Sequence, residues 1–351
     1  MKRRGFEELQ NNVLLKSLCT GCGACVITCP IKDVLDYTLK GPSLVGECTK
    51  CGLCLRVCPL YELDVGDLEQ MVFGREKRTE EFFGLSKTLC VARSTRKDIL
   101  RTCQDGGVAT TLLSSAFTSG AIDGVALSGI DTSNPWMPKP LLATTLDEIV
   151  ESAGTRYSYS PNLLAYNTGI AEGLEKIAFV GTPCQILALR RIQKASLRTH
   201  STALALIIGL FCYESFSYDG LMIQKIQEEM GMRLGAITKM NIKGDFILQT
   251  KSGQTKIIPL RDAKNYAEVF CQYCSDFSAE LADISLGGIG LKDWTLTIIR
   301  TDKGEDLFSQ AVNKGLLEVK PVEDFETTFK LMKKLSKNKR NRAEKNRKEI
   351  F

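Results

Sequence analysis

From about residue 86 onward, short apolar runs alternate with segments whose apolar residues recur at helical spacing. The apolar runs predict buried strands and the other segments predict helices, so this region is predicted to be an α/β domain. Proline at position 183 and glycines at 231 and 315 mark helix boundaries. The predicted strands are 123–130, 176–181, 203–212 and an antiparallel pair at 237–250 and 255–260; the predicted helices are 107–120, 146–152, 183–194, 217–230 and 302–314.

The 351 residues suffice for two or three domains of about 100–200 residues each. Changes in composition and in the apolar pattern along the chain predict a cysteine-rich domain at 1–85, the α/β body at 86–320 and a basic tail at 321–351. The longest strongly apolar run, Ala203–Cys212, is about half of the ~20 residues that span a bilayer. The sequence therefore predicts no transmembrane segment.

Two cysteine runs near the start of the chain carry the strongest chemical signal. CTGCGACVITCP (Cys19–Pro30) and CTKCGLCLRVCP (Cys48–Pro59) both have the spacing C-x2-C-x2-C-x3-C-P. This is the bacterial ferredoxin spacing, in which the last cysteine of each run ligates the other cluster. The predicted ligands of one [4Fe-4S] cluster are Cys19, Cys22, Cys25 and Cys58, and those of the second are Cys48, Cys51, Cys54 and Cys29.

Two other uses of cysteine explain these runs less well. A disulfide framework is typical of small secreted chains, and no export signal is recognised in this one. Zinc sites usually separate their C-x2-C pairs by a longer loop and often include histidine, whereas His200 is the only histidine of the chain. The first domain is therefore predicted to be ferredoxin-like and to carry single electrons.

The net charge of +5 is concentrated near the end of the chain. Residues 330–349 contain ten Lys or Arg and two Asp or Glu, which leaves about −3 for the rest. The sequence allows a solvated, partly disordered end, or a tether to an acidic subunit or an anionic membrane surface. Apolar residues at helical spacing just before it also allow a short docking helix. No nucleic-acid partner is expected, since no recognition fold accompanies the charge.

Six cysteines lie outside the two runs. Cys271 and Cys274 form a C-x2-C pair, Cys184 follows a predicted strand, and Cys212 closes another. Ligands gather at strand ends of open α/β sheets, so these four could hold a third cluster; a zinc ion or an ordinary core role remains open. The other two, Cys90 and Cys103, carry no ligand signal.

Three polar or glycine-rich loops indicate an anionic cofactor. They are Gln104–Thr110, the turn at Gly181, and the arginine-bearing stretch 153–161. Glycine turns that lead into helices expose backbone N–H groups, which suit phosphate. GGIG at 287–290 only partly matches a dinucleotide fingerprint and is a weaker candidate.

Several ordered motifs resemble the beta subunit of the coenzyme F420-reducing hydrogenase family over about residues 86–320. These motifs are CQDGGVAT (103–110), SAGTRYSYSP (152–161), FVGTPCQILALRR (179–191), GLFCYESF (209–216), CQYCSDFS (271–278) and RTDKGEDLF (300–308). The resemblance implies an α/β (α+β) flavoprotein domain of non-Rossmann type that binds FAD, exchanges hydride with F420 and carries a third [4Fe-4S] cluster. Its implied ligands are Cys184, Cys212, Cys271 and Cys274. The implied FAD contacts are Gly106, Gly107, Thr110, Thr155, Arg156, Gly181, Thr182 and Gln185.

The fused ferredoxin-like domain makes the whole chain similar to the F420-oxidising input subunit of archaeal F420 dehydrogenase complexes, which reduce quinone or methanophenazine. The expected function is oxidation of reduced F420, with single electrons leaving through the clusters to a larger redox complex. The expected location is the cytoplasm, either free or peripheral at the membrane. The alternatives are an F420-linked module of a hydrogenase, formate dehydrogenase or ferredoxin-dependent assembly, and a non-enzymatic relay. The scarcity of histidine fits cofactor-centred chemistry without a protein general base.

Overall fold

A computed structural model describes residues 4–38, 41–62 and 64–348. The strands are β1 Leu35–Thr38, β2 Gly41–Leu44, β3 Thr88–Ser94, β4 Gly124–Ile130, β5 Pro138–Ala143, β6 Ile177–Gly181, β7 Leu204–Leu210, β8 Ile237–Lys243, β9 Asp245–Thr250, β10 Thr255–Ile258, β11 Ile284–Gly287, β12 Thr295–Ile299 and β13 Leu317–Pro321.

Helices cover both faces of the main sheet and build most of the N-terminal lobe. The α-helices are α1 Phe6–Leu9, α2 Ala24–Ile27, α3 Leu53–Val57, α4 Gly66–Phe73, α5 Lys97–Thr102, α6 Val108–Thr118, α7 Leu146–Glu151, α8 Asn162–Ala171, α9 Pro183–Lys194, α10 Arg198–Thr202, α11 Leu260–Ala263, α12 Asp302–Asn313 and α13 Glu326–Lys348. Segments Gln10–Leu14 and Tyr218–Glu229 are π-helical, and Leu234–Ala236, Lys264–Tyr266, Val269–Tyr273 and Val322–Phe325 are 3-10 helices.

The main sheet has eight strands in the order β13-β3-β12-β11-β7-β6-β4-β5. Its centre is parallel, because β4 pairs with β6, β6 with β7 and β7 with β11 in the same direction. The outer pairs are antiparallel. The carboxyl ends of the four parallel strands therefore share one edge, which is where ligands usually bind in such sheets.

The N-terminal lobe shares a core with the sheet body. Apolar residues of α2, α3 and α4, among them Ile27, Val57 and Leu68, belong to the same buried cluster as Phe179 and Leu189. The lobe is therefore held against α9 and the sheet by a continuous apolar contact.

A three-stranded sheet, β10-β9-β8, lies beside the main sheet and has its own core. The sequence predicts one strand over 237–250, and this prediction is wrong. The segment is a hairpin of β8 and β9, because Gly244 adopts a positive φ of 82° and turns the chain.

The basic tail also differs from the expectation of a solvated, partly disordered end. Residues Glu326–Lys348 form one helix whose Met332, Ser336, Lys339 and Ala343 are buried. The apolar stripe predicted as a short docking helix is the start of this longer helix, and the helix docks on the chain itself.

Candidate functional site

Each cysteine run of the N-terminal lobe makes a tight turn and then enters a short helix. Gly23 precedes α2 with a φ of 84°, and Gly52 precedes α3 with a φ of 76°. Glycine is favoured at both positions because side chains disfavour this backbone region. The turns bring the first three cysteines of each run together.

A first cysteine group combines three residues of the first run with the last residue of the second: Cys19, Cys22, Cys25 and Cys58. Cys22 and Cys25 each interact electrostatically with Cys19 and Cys58. Burial raises the pKa of Cys22 and of Cys58 to about 12, and neighbouring thiolates add to the shift. Four thiols this close, three of them buried, repel one another once ionised, and a bound metal would remove that penalty.

A second cysteine group contains Cys29, Cys48, Cys51 and Cys54, and all four line one cavity. Its wall is otherwise mostly apolar and includes Phe6. Burial raises the pKa of Cys54 to about 11, and the thiolates of the other three contribute. Cys51 is exposed, so this group reaches the surface.

A third cysteine group forms at the carboxyl edge of the main sheet. Cys184 is the second residue of α9, which follows β6, and Cys212 lies two residues after β7. Cys271 and Cys274 come from the 3-10 helix Val269–Tyr273 and the residue after it. Burial raises the pKa of Cys184 to about 12, and the thiolates of Cys274 and Cys212 add to it.

The C-terminal helix α13 lies against the loops that carry the third group. Lys339 Nζ donates to the carbonyl oxygen of Cys212 at 2.6 Å, and Arg342 Nη2 donates to that of Cys271 at 3.1 Å. Arg347 and Asn346 bond the carbonyls of residues 273 and 272 in the same way. These bonds fix the backbone at Cys212 and between Cys271 and Cys274.

Lys339 is 1% exposed, although lysine is almost never fully buried without a partner. Burial opposes its charge, but the thiolates of Cys274, Cys212 and Cys271 and the carboxylate of Asp276 outweigh burial and raise its pKa. An ammonium group is therefore held beside the third group.

The three groups form a series. Cys184 of the third group interacts with Cys22 of the first, and Cys25 of the first interacts with Cys54 of the second. Tyr159 is half-buried and lies between the third and first groups, and Cys184 Sγ lies 3.8 Å from its hydroxyl oxygen. Burial and both neighbouring thiols raise the pKa of Tyr159 above its usual range.

The candidate FAD residues fall in three loops at the same edge of the sheet. Gly106, Gly107 and Thr110 lie where α6 begins, Thr155 and Arg156 follow α7, and Gly181, Thr182 and Gln185 lie at the turn from β6 into α9. Contacts join the second and third of these loops to each other and to the loop after β7: the Gln185 side-chain amide donates to the Ser160 carbonyl, and Phe216 N donates to the Tyr157 carbonyl at 2.8 Å.

Gln185 is already engaged at both ends of its amide, since Oε1 also accepts from Thr182 N at 3.0 Å. It therefore positions the loop rather than offering a free group. Several buried polar atoms of this loop instead have no hydrogen-bond partner: Arg156 Nε, Ser158 Oγ, Ser160 Oγ and Asn162 Oδ1. Burial lowers the pKa of Arg156 to about 10, a cost that a bound anion would offset.

Other candidates have different roles. GGIG at 287–290 follows β11 and leads into β12 rather than into a helix, so the dinucleotide-fingerprint context is absent there. Cys90 is buried on β3, and Cys103 Sγ bonds the carbonyl of Asp105 at 2.9 Å. Sequence reasoning missed Lys339 and Tyr159; the apolar stripe before the basic tail was the one signal that this segment packs on the body.

Within residues 4–38, 41–62 and 64–348, no helix is both long and apolar enough to cross a membrane.

Three family descriptions match the chain. "4Fe-4S dicluster domain" matches residues 11–71, and "Coenzyme F420 hydrogenase/dehydrogenase, beta subunit" matches 89–166 with its N-terminal part and 174–325 with its C-terminal part. The chain is 37% identical to the coenzyme F420 hydrogenase subunit beta of Methanothermobacter thermautotrophicus, covering 75% of this chain and 94% of that one.

An F(420)H(2) dehydrogenase subunit of Methanosarcina mazei is 32% identical over 93% of this chain and 91% of its own length. A chain in the solved F420-reducing [NiFe] hydrogenase complex from Methanosarcina barkeri superimposes with a TM-score of 0.74 at 36% identity. That match covers 78% of this chain and 95% of the other.

Proposed function

The chain belongs to the family of coenzyme F420 hydrogenase/dehydrogenase beta subunits, and from this premise we propose that it oxidises reduced coenzyme F420. In this proposal FAD takes the hydride, and three [4Fe-4S] clusters deliver single electrons to a larger redox complex. The observation that carries it is the third cysteine group, whose Cys184 Sγ lies 3.3 Å from the hydroxyl oxygen of the candidate FAD residue Thr182 and which also interacts with Cys22 of the first group.

The cysteine groups suit clusters better than zinc. Zinc–sulfur bonds of about 2.3 Å would hold tetrahedral ligand sulfurs roughly 3.8 Å apart. In the described part of the chain, no three Cys, His, Asp or Glu side chains come together as ligands of a single ion. The two N-terminal runs have the spacing of cluster ligands, and the cysteines of the third group act on one another electrostatically.

The three loops at the sheet edge suit a phosphate-bearing cofactor. The partnerless polar atoms of residues 156–162 offer hydrogen bonds, and the Arg156 guanidinium offers positive charge. Gly107, with a φ of 72°, lets the chain turn closely into α6. A bound flavin would supply the conversion between a two-electron hydride and single electrons, while these residues hold and orient it.

The series of groups gives the proposed path a direction through the chain. The third group lies at the proposed flavin site, the first group follows it, and the second group ends at the exposed Cys51. We therefore propose that the partner complex contacts the N-terminal lobe near Cys51. Exposed lysines of α13, such as Lys334 and Lys337, remain available for contact with a subunit or an anionic membrane surface.

The dehydrogenase role is favoured over the hydrogenase role by coverage. The F(420)H(2) dehydrogenase subunit matches 93% of this chain, including the N-terminal lobe, whereas the hydrogenase beta subunit matches 75%. The coenzyme F420-dependent sulfite reductase of Methanocaldococcus jannaschii also matches 97% of the chain, but the chain spans 53% of its length. A module of such a larger enzyme is the second candidate.

Anaerobic reconstitution tests the proposal. The wild type should carry about twelve irons per chain and one flavin, and it should convert reduced F420 to its fluorescent oxidised form in step with reduction of an artificial acceptor. A protein that binds no flavin and leaves reduced F420 untouched would be a relay rather than an enzyme.

Replacement of a single cysteine tests the third group separately. Cys271→Ser should lose about one third of the iron, because one of three equal cubes is lost, and should keep the signals of the N-terminal pair. Cys90→Ser is the matched control, since Cys90 is also buried but belongs to none of the three groups. Equal iron in both variants would contradict the third ligand set.

A further inference from the structure

Lys339 of α13, whose ammonium group is buried, lies outside the residues that the family descriptions match and is not a proposed ligand of any cluster. Lys339 is 1% exposed and donates from Nζ to the Cys212 carbonyl oxygen at 2.6 Å. The same helix reaches the Cys271 carbonyl through Arg342 Nη2 at 3.1 Å, so the ammonium lies beside the loops that carry Cys212 and Cys271. A lysine placed so deeply costs desolvation energy that a merely structural contact does not require.

We propose that the fixed positive charge of Lys339 raises the reduction potential of the cluster held by the third cysteine group. The inference rests on the proposed function, because it assumes that the third group holds a cluster. Reduction adds one electron to the cluster and moves no proton, so the reduced form is more negative by one charge. A buried cation stabilises that form more than the oxidised form, and net charge and hydrogen bonding near a cluster are known to set its potential.

Among the cations around the third group, Lys339 is distinguished by its burial, since Arg342 and Arg347 are both partly exposed. Glu214 acts on Cys212, but it is paired with Arg342 at 3.3 Å and with Lys264 at 3.9 Å. Arg347 acts on Cys274, and its side chain also bonds the Tyr273 carbonyl.

Two further carboxylates complete the surroundings. Asp276 and Glu280 lie near each other, and Glu280 is paired with Lys77 at 2.6 Å and with Arg340 at 2.7 Å. Asp276 accepts from Glu280 N at 2.8 Å, while its other oxygen is buried without a partner. Among the described residues, the ammonium of Lys339 hydrogen-bonds a neutral carbonyl and forms no ion pair; Asp276 acts on it electrostatically without direct contact.

The two N-terminal groups have a weaker positive environment. Arg191 acts on Cys58 of the first group and is partly exposed. The leading electrostatic influences on Cys54 of the second group are other cysteines. The charge of α13 therefore distinguishes the third group, which would accept electrons most readily next to the proposed flavin.

The experiment is an EPR-monitored redox titration of the reconstituted holoprotein and three variants of position 339. Lys339→Gln keeps a donor for the Cys212 carbonyl but removes the charge, Lys339→Met removes both, and Lys339→Arg keeps both. Lys334→Met is the matched control, because it removes an exposed lysine from the same helix. Iron and flavin are counted in every sample.

The expected result is that Lys339→Gln and Lys339→Met disfavour reduction of one cluster at least tenfold, a downward shift of about 59 mV for one electron. Lys339→Arg and Lys334→Met should leave that potential near the wild-type value. Should Lys339→Gln retain all its iron and show the wild-type potential, the proposal is overturned; loss of the cluster in Lys339→Gln and Lys339→Arg alike would also overturn it, by assigning Lys339 a structural role. A wild type with only two cubes would instead overturn the proposed third cluster.

Discussion

The N-terminal cysteine groups and the third cysteine group are built in opposite ways. The first two use eight residues from two runs within a stretch of 40 positions, from Cys19 to Cys58, and each run supplies its own glycine turn and short helix. The third uses Cys184, Cys212 and the pair at 271 and 274, which come together at the edge of a sheet. A local motif can thus place ligands by itself, whereas the third site depends on the packing of the whole body.

Removal of the C-terminal helix should have the largest effect, and this effect should be confined to the third cysteine group. A chain that ends at Phe325 lacks the bonds from Lys339, Arg342 and Arg347 to the cysteine loops. Because buried carbonyls left without donors cost roughly 1–3 kcal/mol each, the third site should lose its cluster and oxidation of F420 should stop.

The truncated protein should still reconstitute about eight irons, which is two cubes, as measured by iron analysis and EPR of the reduced sample. Retention of twelve irons would show that the helix is not needed at the third site. Loss of all iron would show that the N-terminal cysteine groups also depend on the C-terminal helix.

Two neighbouring arginines of α9 have different roles: one stabilises the main sheet, and the other attaches the N-terminal lobe to it. Arg190 is buried and pairs with Asp283 at 3.1 Å, and the same carboxylate accepts from Ile207 N at 2.7 Å. Arg190→Met leaves this carboxylate buried without its cation, so the sheet should lose about 3–5 kcal/mol. The check is a lower denaturant midpoint for the loss of sheet structure.

Arg191 instead bonds the N-terminal lobe, donating to the carbonyls of Arg56 and Tyr61 at 2.7 Å each. Arg191→Met should change the denaturant midpoint less than Arg190→Met, because the side chain is only partly buried. Reduction of the N-terminal clusters by reduced F420 should become slower, as followed by rapid-mixing spectroscopy. Unchanged transfer would mean that the apolar contact between the regions alone holds the lobe in register.

The smallest expected effect concerns Tyr159, which lies between the third and first groups. Tyr159→Phe removes the hydroxyl 3.8 Å from Cys184 Sγ but keeps the ring that packs against Phe270 at 5.5 Å. Hydrogen bonds to cluster sulfurs raise reduction potentials, so the third potential should fall, but by less than in Lys339→Gln. A fall as large as that of Lys339→Gln would show that hydrogen bonding influences the reduction potential of the third cluster as strongly as charge does.

Prediction from sequence succeeded where a segment's structure depends mainly on its own residues. The helix predicted at 183–194 is α9 with the same bounds, since Thr182 and Gln185 form a capping box and Pro183 begins the helix. It was wrong at 237–250, where one glycine turn divides a continuous apolar pattern. Strands β11 and β12 were not predicted, because Ser285, Thr295 and Thr297 interrupt the short apolar runs from which β6 and β7 were recognised.

The sequence alone determined the spacing of the eight N-terminal cysteines and the motifs that identify the family. Both are local patterns, so they survive in a linear reading of the chain. The tertiary structure decided which elements meet: that α13 covers the third group, that Lys339 is buried beside its cysteines, and that Cys184 approaches Cys22. The sequence does not show which groups surround the charge of Lys339, because these are fixed only when the helix packs on the body. Its influence on the third group depends on that burial, since a charge acts more strongly where water is excluded.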